Sequence, residues 1–372
     1  MKTKVIEYVS RMQDGGAETI VKDYALLLDK EKFDVTVVCE DYKKNSANYR
    51  ILKENNVKTI YLYGKFDLLC RALQRIFGQR FISLLFNRVL KDIKPDIIHV
   101  QLESLEVLYH SRKHLDNVKL FFTCQNLPEL KIGEKRPKER DACRYLLDYN
   151  NLQIFALHDE MAKEINERFN INNTIVLKNG IDFDRFRNVS ETKEEIRESI
   201  GIPKDAYLVG HVGRFHYQKN HELLIKVFND VVKKKDNAYL LLIGAGNLED
   251  DVRKQISDLG LNDRVVILSH RKDIPRLMKS MDVFLFPSRY EGLGIVLIEA
   301  QISGLPCVIS NTLPHEAYQS KNITELALDA PIDEWSKAVI NPVGNITKWG
   351  NINDYDMKKV IKKLERYYNL ME

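Results

Sequence analysis

The sequence lacks long apolar runs and paired cysteines. No stretch approaches the ~20 apolar residues that a membrane-spanning helix needs, and the first residues enter a strand pattern without the charged region, apolar region and cleavage site of a secretory signal. The five cysteines are scattered, with no Cys-x-x-Cys pair. This spacing argues against a disulfide framework and a zinc site, and it favours a reducing compartment. We therefore expect a cytoplasmic protein.

The sequence also lacks a strong excess of either charge, with 57 Lys and Arg against 53 Asp and Glu. The net charge of +4 is concentrated in residues 65–94, which hold seven bases and two acids. Apolar residues recur among these bases at helical spacing, and Gly78 is expected to interrupt the helix. Such a segment suits the surface of an anionic membrane, but it must also cover part of a sheet, and both interpretations stay open. No recognised nucleic-acid-binding module accompanies the charge, so we expect no nucleic-acid partner.

Strand and helix patterns alternate along the whole chain, which is typical of parallel sheets covered by helices. We predict two Rossmann-like α/β domains over residues 1–187 and 188–352, with a final helix over 353–372. Twelve strands are predicted: 4–10, 34–40, 58–63, 96–101, 119–125, 153–158, 174–178, 207–212, 239–243, 265–268, 283–286 and 306–310.

Two carboxylates eight residues apart, Glu291 and Glu299, form the most informative pattern. An apolar strand ends shortly before Glu291. Gly292 and Gly294 then form an open turn, and a helix is predicted from Ile295. A strand, a glycine turn and a helix N-terminus make an anion site, because free N–H groups and the helix dipole face the turn. Carboxylates beside such a site suit hydroxyl groups, since each can accept two hydrogen bonds from a vicinal diol. The combination predicts a nucleotide-sugar ligand.

This pattern resembles the Glu-x7-Glu signature of retaining GT-B glycosyltransferases of family 4, in which two Rossmann-like domains face each other across a cleft. The resemblance implies that the final helix, over 353–372, crosses back onto the N-terminal domain. The resemblance extends over nearly the whole chain, in the family's order and spacing. It rests on Gly15-Gly16-Ala17-Glu18, Asn179-Gly180-Ile181-Asp182, Gly213-Arg214-Phe215, Gln218-Lys219-Asn220, Gly244-Ala245-Gly246 and Phe286-Pro287-Ser288. The segment from Leu297 to Ser310 resembles the EpsF-like branch, which builds bacterial exopolysaccharide and capsule.

The resemblance implies a donor site in the C-terminal domain, with three catalytic residues. Arg214 and Lys219 are expected to hold the donor diphosphate and stabilise the departing UDP, while Glu291 faces the donor sugar. Glu299 is expected to bind the ribose hydroxyls. Further donor contacts are implied at Gly16, Gly213, Gly244, His270, Arg271, Gly292, Leu293, Gly294 and Ile295. The two bases do what a metal does in other transferases, and no Asp-x-Asp motif stands at a predicted strand end, so we expect no metal and no cofactor beside the UDP-sugar substrate.

The acceptor is expected in the N-terminal domain. Many relatives carry a histidine at the end of the strand 119–125, where this chain has Gln125 followed by Asn126. Glutamine cannot act as a general base near neutral pH, so the two amides are expected only to orient sugar hydroxyls. The resemblance implies a front-face reaction in which the departing phosphate oxygen takes the acceptor proton. His99 is an alternative acceptor contact, although its apolar strand favours burial.

The resemblance thus implies a hexosyltransferase that uses a UDP-hexose donor and a lipid-linked saccharide acceptor at the inner face of the cell membrane. A second basic cluster, from Lys131 to Arg144, fits such an acceptor. Two alternatives stay open. One is another GT-B nucleotide-sugar enzyme, such as an epimerase, and the other is a catalytically degenerate partner subunit, which the missing histidine allows.

Overall fold

The computed structural model describes residues 2–13, 15–42, 46–64, 66–102 and 105–369. The chain forms two compact units. The first unit holds residues 1–180 and the C-terminal segment from Met357, and the second unit spans Ile181–Asp356. In the described part of the chain, no helix is long and apolar enough to cross a membrane.

The first unit is built on a parallel sheet of seven described strands in the order β3-β2-β1-β4-β5-β6-β7. The strands are β1 Thr3–Met12, β2 Phe33–Tyr42, β3 Lys58–Tyr61, β4 Ile97–Gln101, β5 Lys119–Thr123, β6 Gln153–Ala156 and β7 Ile175–Val176. The helices are α1 Gly16–Leu27, α2 Ala47–Glu54, α3 Asp67–Phe77, α4 Gln79–Ile93, α5 Leu105–Ser111, α6 Pro128–Ile132, α7 Pro137–Asn150 and α8 Asp159–Phe169. The predicted helix break is confirmed, because Gly78 has φ +60° between α3 and α4.

The second unit repeats this plan with six described strands in the order β10-β9-β8-β11-β12-β13, all pairs parallel. The strands are β8 Tyr207–Val212, β9 Ala238–Ile243, β10 Val265–Leu268, β11 Val283–Phe286, β12 Cys307–Ser310 and β13 Ile323–Leu326. The helices are α9 Phe183–Arg187, α10 Lys193–Ser199, α11 His221–Lys234, α12 Glu249–Asp258, α13 Ile274–Lys279, α14 Ile295–Ile302 and α15 Ile332–Ile340.

One strand of the second unit, β13, was not predicted from the sequence. The edge strand β13 reads Ile-Thr-Glu-Leu and pairs only with β12 among the described strands. Central strands such as β11 are buried on both faces and read as apolar runs. β13 has Thr and Glu among its four residues, so the same sequence signal is weak there.

The chain ends in α16, Met357–Asn369, which packs in the first unit. Its buried residues recur at helical spacing and join the core formed by β1, β4, β5 and β6. A Cβ atom on Gly180 would lie 2.8 Å from the Cα of Met357. Glycine is therefore required where the chain leaves the first unit beside the point at which it returns.

Candidate active site

Strand order predicts where ligands bind in each sheet. In open parallel sheets, ligands lie beyond the carboxyl ends of the strands, where the strand order reverses. In the second unit this switch point lies between β8 and β11, which are neighbours in the sheet. The loops that follow these two strands carry Gly213–Lys219 and Pro287–Gly294. The topology therefore brings two of the predicted donor motifs to one edge of the sheet.

Lys219 and Glu291 form an ion pair at this edge. Lys219 Nζ donates to Glu291 Oε1 at 2.7 Å, and the two side chains are only 15% and 8% exposed. The ammonium group also lies 4.6 Å from the centre of the Phe286 ring. Gln218 Nε2 donates to the second carboxylate oxygen, Oε2, at 3.0 Å. Lys219 and Glu291 were predicted as separate ligand contacts, and the structure brings them together.

Gln218 links the two loops, and the sequence interpretation assigned it no role. Its side-chain NH2 group donates to the backbone carbonyl of Tyr290 at 3.0 Å, and its backbone carbonyl accepts from the backbone N–H of Arg289 at 2.8 Å. Gln218 therefore fixes the position of Glu291 through both the backbone and the carboxylate. Its place directly before Lys219 was the available signal.

Two buried histidines lie behind Lys219. His211 Nδ1 donates to the carbonyl of Leu285 at 2.9 Å, and its ring centre lies 5.0 Å from that of His221. Burial lowers the pKa of His211, and burial together with the charge of Lys219 lowers the pKa of His221 to about 4. Both rings are neutral at physiological pH, so neither adds positive charge to the Lys219–Glu291 pair.

Three glycines let the loops of the second unit pack closely. A Cβ atom on Gly213 would meet His211 Nε2 at 2.9 Å and the stem of Lys219 at 3.1 Å. A Cβ atom on Gly244 would lie 2.0 Å from the carbonyl oxygen of Gly213, and one on Gly246 would lie 2.2 Å from that of Phe215. Contacts between protein loops thus already account for Gly244, whose predicted contact with the donor remains a prediction.

The turn before α14 has the geometry of an anion site. Gly294 has φ +77° and ends the turn, and α14 begins at Ile295. The first amides of a helix have no acceptor within it, and the helix dipole is positive at that end. The predicted contacts Gly292, Leu293, Gly294 and Ile295 all lie at this turn. The structure thus contains the predicted glycine turn and helix start, and their contact with a phosphate group remains a prediction.

Glu299 lies one turn inside α14 and has an altered acidity. Desolvation raises the pKa of its carboxyl to about 7, and the positive charge of Arg185 acts in the opposite direction. Between pH 4.5 and about pH 7, the folded protein therefore keeps a proton on this carboxyl that the unfolded chain releases. This contribution to stability is present below pH 4.5 and is lost as the pH rises through 7. A diol that donates to the carboxylate would favour the ionised form.

The remaining predicted cations differ in their availability. Arg214 lies two residues after the end of β8 and is exposed, and it makes no ion pair within the described part of the second unit. Arg271, in contrast, donates to both oxygens of Asp273, at 2.8 and 2.6 Å. His270 is exposed at φ +55°. The guanidinium of Arg271 is therefore already engaged, whereas that of Arg214 is open to a diphosphate.

Gly16 and the predicted acceptor amides lie in the first unit. Gly16 opens α1, and a Cβ atom there would meet nothing within 4 Å, so packing in the described chain does not demand glycine. Gln125 exchanges hydrogen bonds with Asn179, at 2.8 and 3.4 Å, and donates to Gln101 Oε1 at 2.6 Å. Asn126 Oδ1 accepts from the amide of Leu127 at 2.8 Å. Both predicted amides are held in place by protein groups.

His99 is not positioned to contact an acceptor, which corrects that alternative. It is fully buried in β4. Its Nδ1 lies 2.8 Å from the hydroxyl of Tyr368 on α16, and its Nε2 lies 2.7 Å from Thr123 Oγ1. The Tyr368 hydroxyl also donates to the buried Glu7 at 2.7 Å. His99 therefore supports the interior of the sheet, as its apolar strand indicated.

Comparison with known proteins identifies the family. The family model described as "Glycosyltransferase Family 4" matches residues 14–185, and the model described as "Glycosyl transferases group 1" matches residues 192–342. Together these two matches cover most of both units. The chain belongs to the group 1 glycosyltransferases of family 4. The predicted family is confirmed.

Individual relatives support the same assignment. The chain is 32% identical over 200 residues to the putative glycosyltransferase EpsF of Bacillus subtilis (strain 168), covering 54% of this chain and 48% of that one. The match thus spans about half the length of that relative. The chain is also 26% identical over 303 residues to the UDP-Gal:alpha-D-GlcNAc-diphosphoundecaprenol alpha-1,3-galactosyltransferase of Escherichia coli, covering 77% and 73% of the two chains.

Similarity to solved structures shows the fold. The crystal structure of Anabaena HepE in complex with UDP and glucose matches with a TM-score of 0.75, 18% identity and 99% of each chain covered. The predicted α/β fold of the GT-B class, with two Rossmann-like units, is confirmed. The roles of the individual site residues in this glycosyltransferase remain predictions.

Proposed function

We propose that this protein is a retaining glycosyltransferase that transfers a hexose from a UDP-sugar to a lipid-linked saccharide, in the synthesis of exopolysaccharide, capsule or another surface glycan. The HepE structures contain UDP with glucose, or UDP-glucose. The name of the Escherichia coli relative specifies UDP-galactose and a saccharide on a diphosphate lipid. Both support a UDP-hexose donor, and the second supports the class of acceptor.

The observation that carries the proposal is the cluster of Gln218, Lys219 and Glu291 beside the N-terminus of α14. Arg214, Lys219 and the first amides of α14 can neutralise a diphosphate. The carboxylate of Glu291 can accept hydrogen bonds from a hexose, and that of Glu299 can accept them from the ribose. This set of groups matches the parts of a UDP-hexose.

The proposed reaction exchanges two bonds at the anomeric carbon. The bond from this carbon to the diphosphate oxygen breaks, and a bond to the acceptor oxygen forms on the same face of the sugar. The acceptor proton moves to the departing phosphate oxygen, because Gln125 cannot accept it. Lys219 and Arg214 stabilise the negative charge that develops on UDP. We propose that transfer requires no metal ion, since these groups supply the neutralising charge.

The helical pair α3 and α4 is proposed to lie on an anionic membrane surface. Its buried residues cover the sheet, but large apolar side chains also point outward, including Leu68 at 84% exposure and Ile76 at 72%. Exposed bases, Arg75, Arg80 and Arg88, accompany them. Apolar side chains interleaved with bases match the acyl chains and anionic head groups of a membrane surface.

A transfer assay tests the proposal. The purified protein is incubated with UDP-glucose or UDP-galactose and a farnesyl-diphosphate-linked N-acetylglucosamine, with and without EDTA, and the product is analysed by mass spectrometry and NMR. We expect a disaccharide product whose new linkage keeps the α configuration of the donor, and equal rates with EDTA. Inverted configuration or dependence on a metal would contradict the proposed chemistry.

A matched pair of variants connects activity to the site. Lys219→Met should abolish transfer, whereas Lys226→Met, which changes an exposed lysine on α11, should not. Interconversion of UDP-sugars without acceptor would favour the epimerase alternative. Absence of nucleotide binding would favour a degenerate partner subunit.

A further inference from the structure

A cavity in the first unit is lined by none of the individual donor and acceptor contacts predicted from the sequence, although part of the basic cluster from Lys131 to Arg144 lies at its rim. Its volume is about 630 Å³, within the roughly 300–1,000 Å³ range of small-molecule sites. Ser10 and Arg11 of β1 and Glu40 of β2 line it, so it opens at the carboxyl edge of the sheet. This is the edge at which open α/β sheets bind ligands.

Glu40 places a buried carboxyl in this cavity. The residue is 5% exposed, and it accepts hydrogen bonds from Gln74 Nε2 at 3.0 Å, from the Tyr8 hydroxyl at 3.3 Å and from the Tyr63 hydroxyl at 3.4 Å. Burial raises the pKa of Glu40, and these hydrogen bonds oppose the effect. Glu40 makes no ion pair with any residue that the structure describes. Burying a carboxylate without an ion pair is costly, and here it leaves an acid at the wall of the cavity.

The rim of the cavity is basic. Lys135, Arg136 and Lys138 lie together at the start of α7, and Arg11 lies on β1. The acids of the rim are engaged by the protein: Glu139 accepts from the amides of Leu105 and Glu106 at 2.9 and 3.3 Å, and Glu106 lies 3.6 Å from His110. Lys135 and Lys138 form no ion pair with any residue that the structure describes. The rim thus keeps positive charge for an anionic ligand.

Two residues of the helical pair α3 and α4, which forms the proposed membrane surface, line the cavity. Gln74 of α3 and Gln79 of α4 line it. Ile76 and Phe77 lie between them in the chain, at the turn from α3 to α4, and are 72% and 58% exposed. An amphiphile whose polar head fills the cavity can therefore place its apolar chain on this turn.

We infer that this cavity binds the saccharide-diphosphate head of a lipid-linked acceptor. The basic rim binds the diphosphate, Glu40 and the two glutamines bind sugar hydroxyls, and Ile76 and Phe77 contact the first carbons of the lipid. The inference rests on the proposed function and names the part of the first unit that recognises its acceptor.

Direct binding tests the inference without any transfer step. Isothermal titration calorimetry of the full chain would use farnesyl-diphosphate-linked N-acetylglucosamine, farnesyl diphosphate and UDP as separate probes. Glu40→Gln keeps the shape of the side chain and should lower the affinity for the saccharide-bearing probe at least about tenfold, because hydrogen bonds to a charged group are lost. Binding of farnesyl diphosphate and UDP should not change.

A second variant tests the rim and avoids the buried position. The double variant Lys135→Gln/Lys138→Gln alters exposed side chains. It should lower the affinity for both farnesyl probes but not the affinity for UDP. Lys163→Gln on α8, 78% exposed, is the control and should change nothing. Failure of the wild-type protein to bind the saccharide probe, or unchanged binding by both cavity variants, would overturn the inference. If the wild-type protein binds the saccharide probe and the cavity variants weaken that binding, but no transfer from a UDP-sugar is observed, the proposed function alone would be overturned.

Discussion

Breaking the Lys219–Glu291 pair should lower stability and donor binding together, whereas removing both charges should restore only stability. Lys219→Met leaves the carboxylate of Glu291, which is 8% exposed, with Gln218 as its remaining hydrogen-bond donor among the described residues. Removing one partner of a buried pair typically costs about 3–5 kcal/mol. Because this pair keeps some solvent contact, we expect about 3 kcal/mol. In a unit of this size each kcal/mol shifts the melting temperature by roughly 2–4 °C, so the second unit should melt about 6–12 °C lower.

The double variant Lys219→Met/Glu291→Gln removes both charges. Replacing a buried ion pair by uncharged groups is often nearly neutral, so we expect its free energy of unfolding to return to within about 1 kcal/mol of the wild-type value. UDP-glucose binding should be weakened at least about tenfold in the single and the double variant, since a charge-assisted contact with the diphosphate is lost.

Differential scanning calorimetry and titration calorimetry measure both effects. Lys226→Met breaks an exposed pair with Glu222 on the same helix and should shift neither quantity measurably. The reasoning is refuted if Lys219→Met melts with the wild-type protein, or if the double variant binds UDP-glucose normally.

Three further predictions concern Glu299, two glycines and the membrane surface. The ribose is proposed to bind ionised Glu299, whose pKa is about 7 in the free protein. The affinity for UDP-glucose, measured by calorimetry, should therefore fall about tenfold from pH 8 to pH 6. The affinity of a Glu299→Gln variant should not change with pH in this range, and the same fall in that variant would exclude Glu299 as the cause. Gly16→Ala should leave the melting temperature unchanged but raise the KM for UDP-glucose, whereas Gly244→Ala should lower the melting temperature because its Cβ would lie 2.0 Å from the carbonyl oxygen of Gly213; equal melting of both variants would contradict the assignment. Ile76→Glu/Phe77→Glu should reduce sedimentation with vesicles containing 30% phosphatidylglycerol without altering UDP binding, and unchanged sedimentation would argue against contact through this turn.

The fold could be predicted because its signals are local. Buried parallel strands read as apolar runs, and Gly78 marks the break between α3 and α4. The strand β13 was missed because an edge strand of four residues, Ile-Thr-Glu-Leu, lacks such a run. Strand ends and glycine turns therefore located the donor motifs, whereas β13 gave too weak a signal to be found.

The partners of the site residues could not be predicted in the same way. Lys219 and Glu291 are 72 residues apart, and only the adjacency of β8 and β11 brings them together. The sequence likewise gives no sign that Asp273 engages Arg271 or that packing against Gly213 requires Gly244. Glu40 and its donors come from separate elements of the first unit, so the cavity was not visible without the fold.

The central claim is that the second unit binds a UDP-hexose through the Lys219–Glu291 cluster without a metal ion. The most direct test is titration calorimetry of the wild-type protein and the Lys219→Met/Glu291→Gln variant with UDP, GDP, ADP, UDP-glucose and UDP-galactose, in buffer containing EDTA. Preferential binding of UDP and a UDP-hexose by the wild-type protein, with weak binding by the variant, is the predicted result. Preference for GDP or ADP, a requirement for metal, or equal binding by the variant would contradict the account.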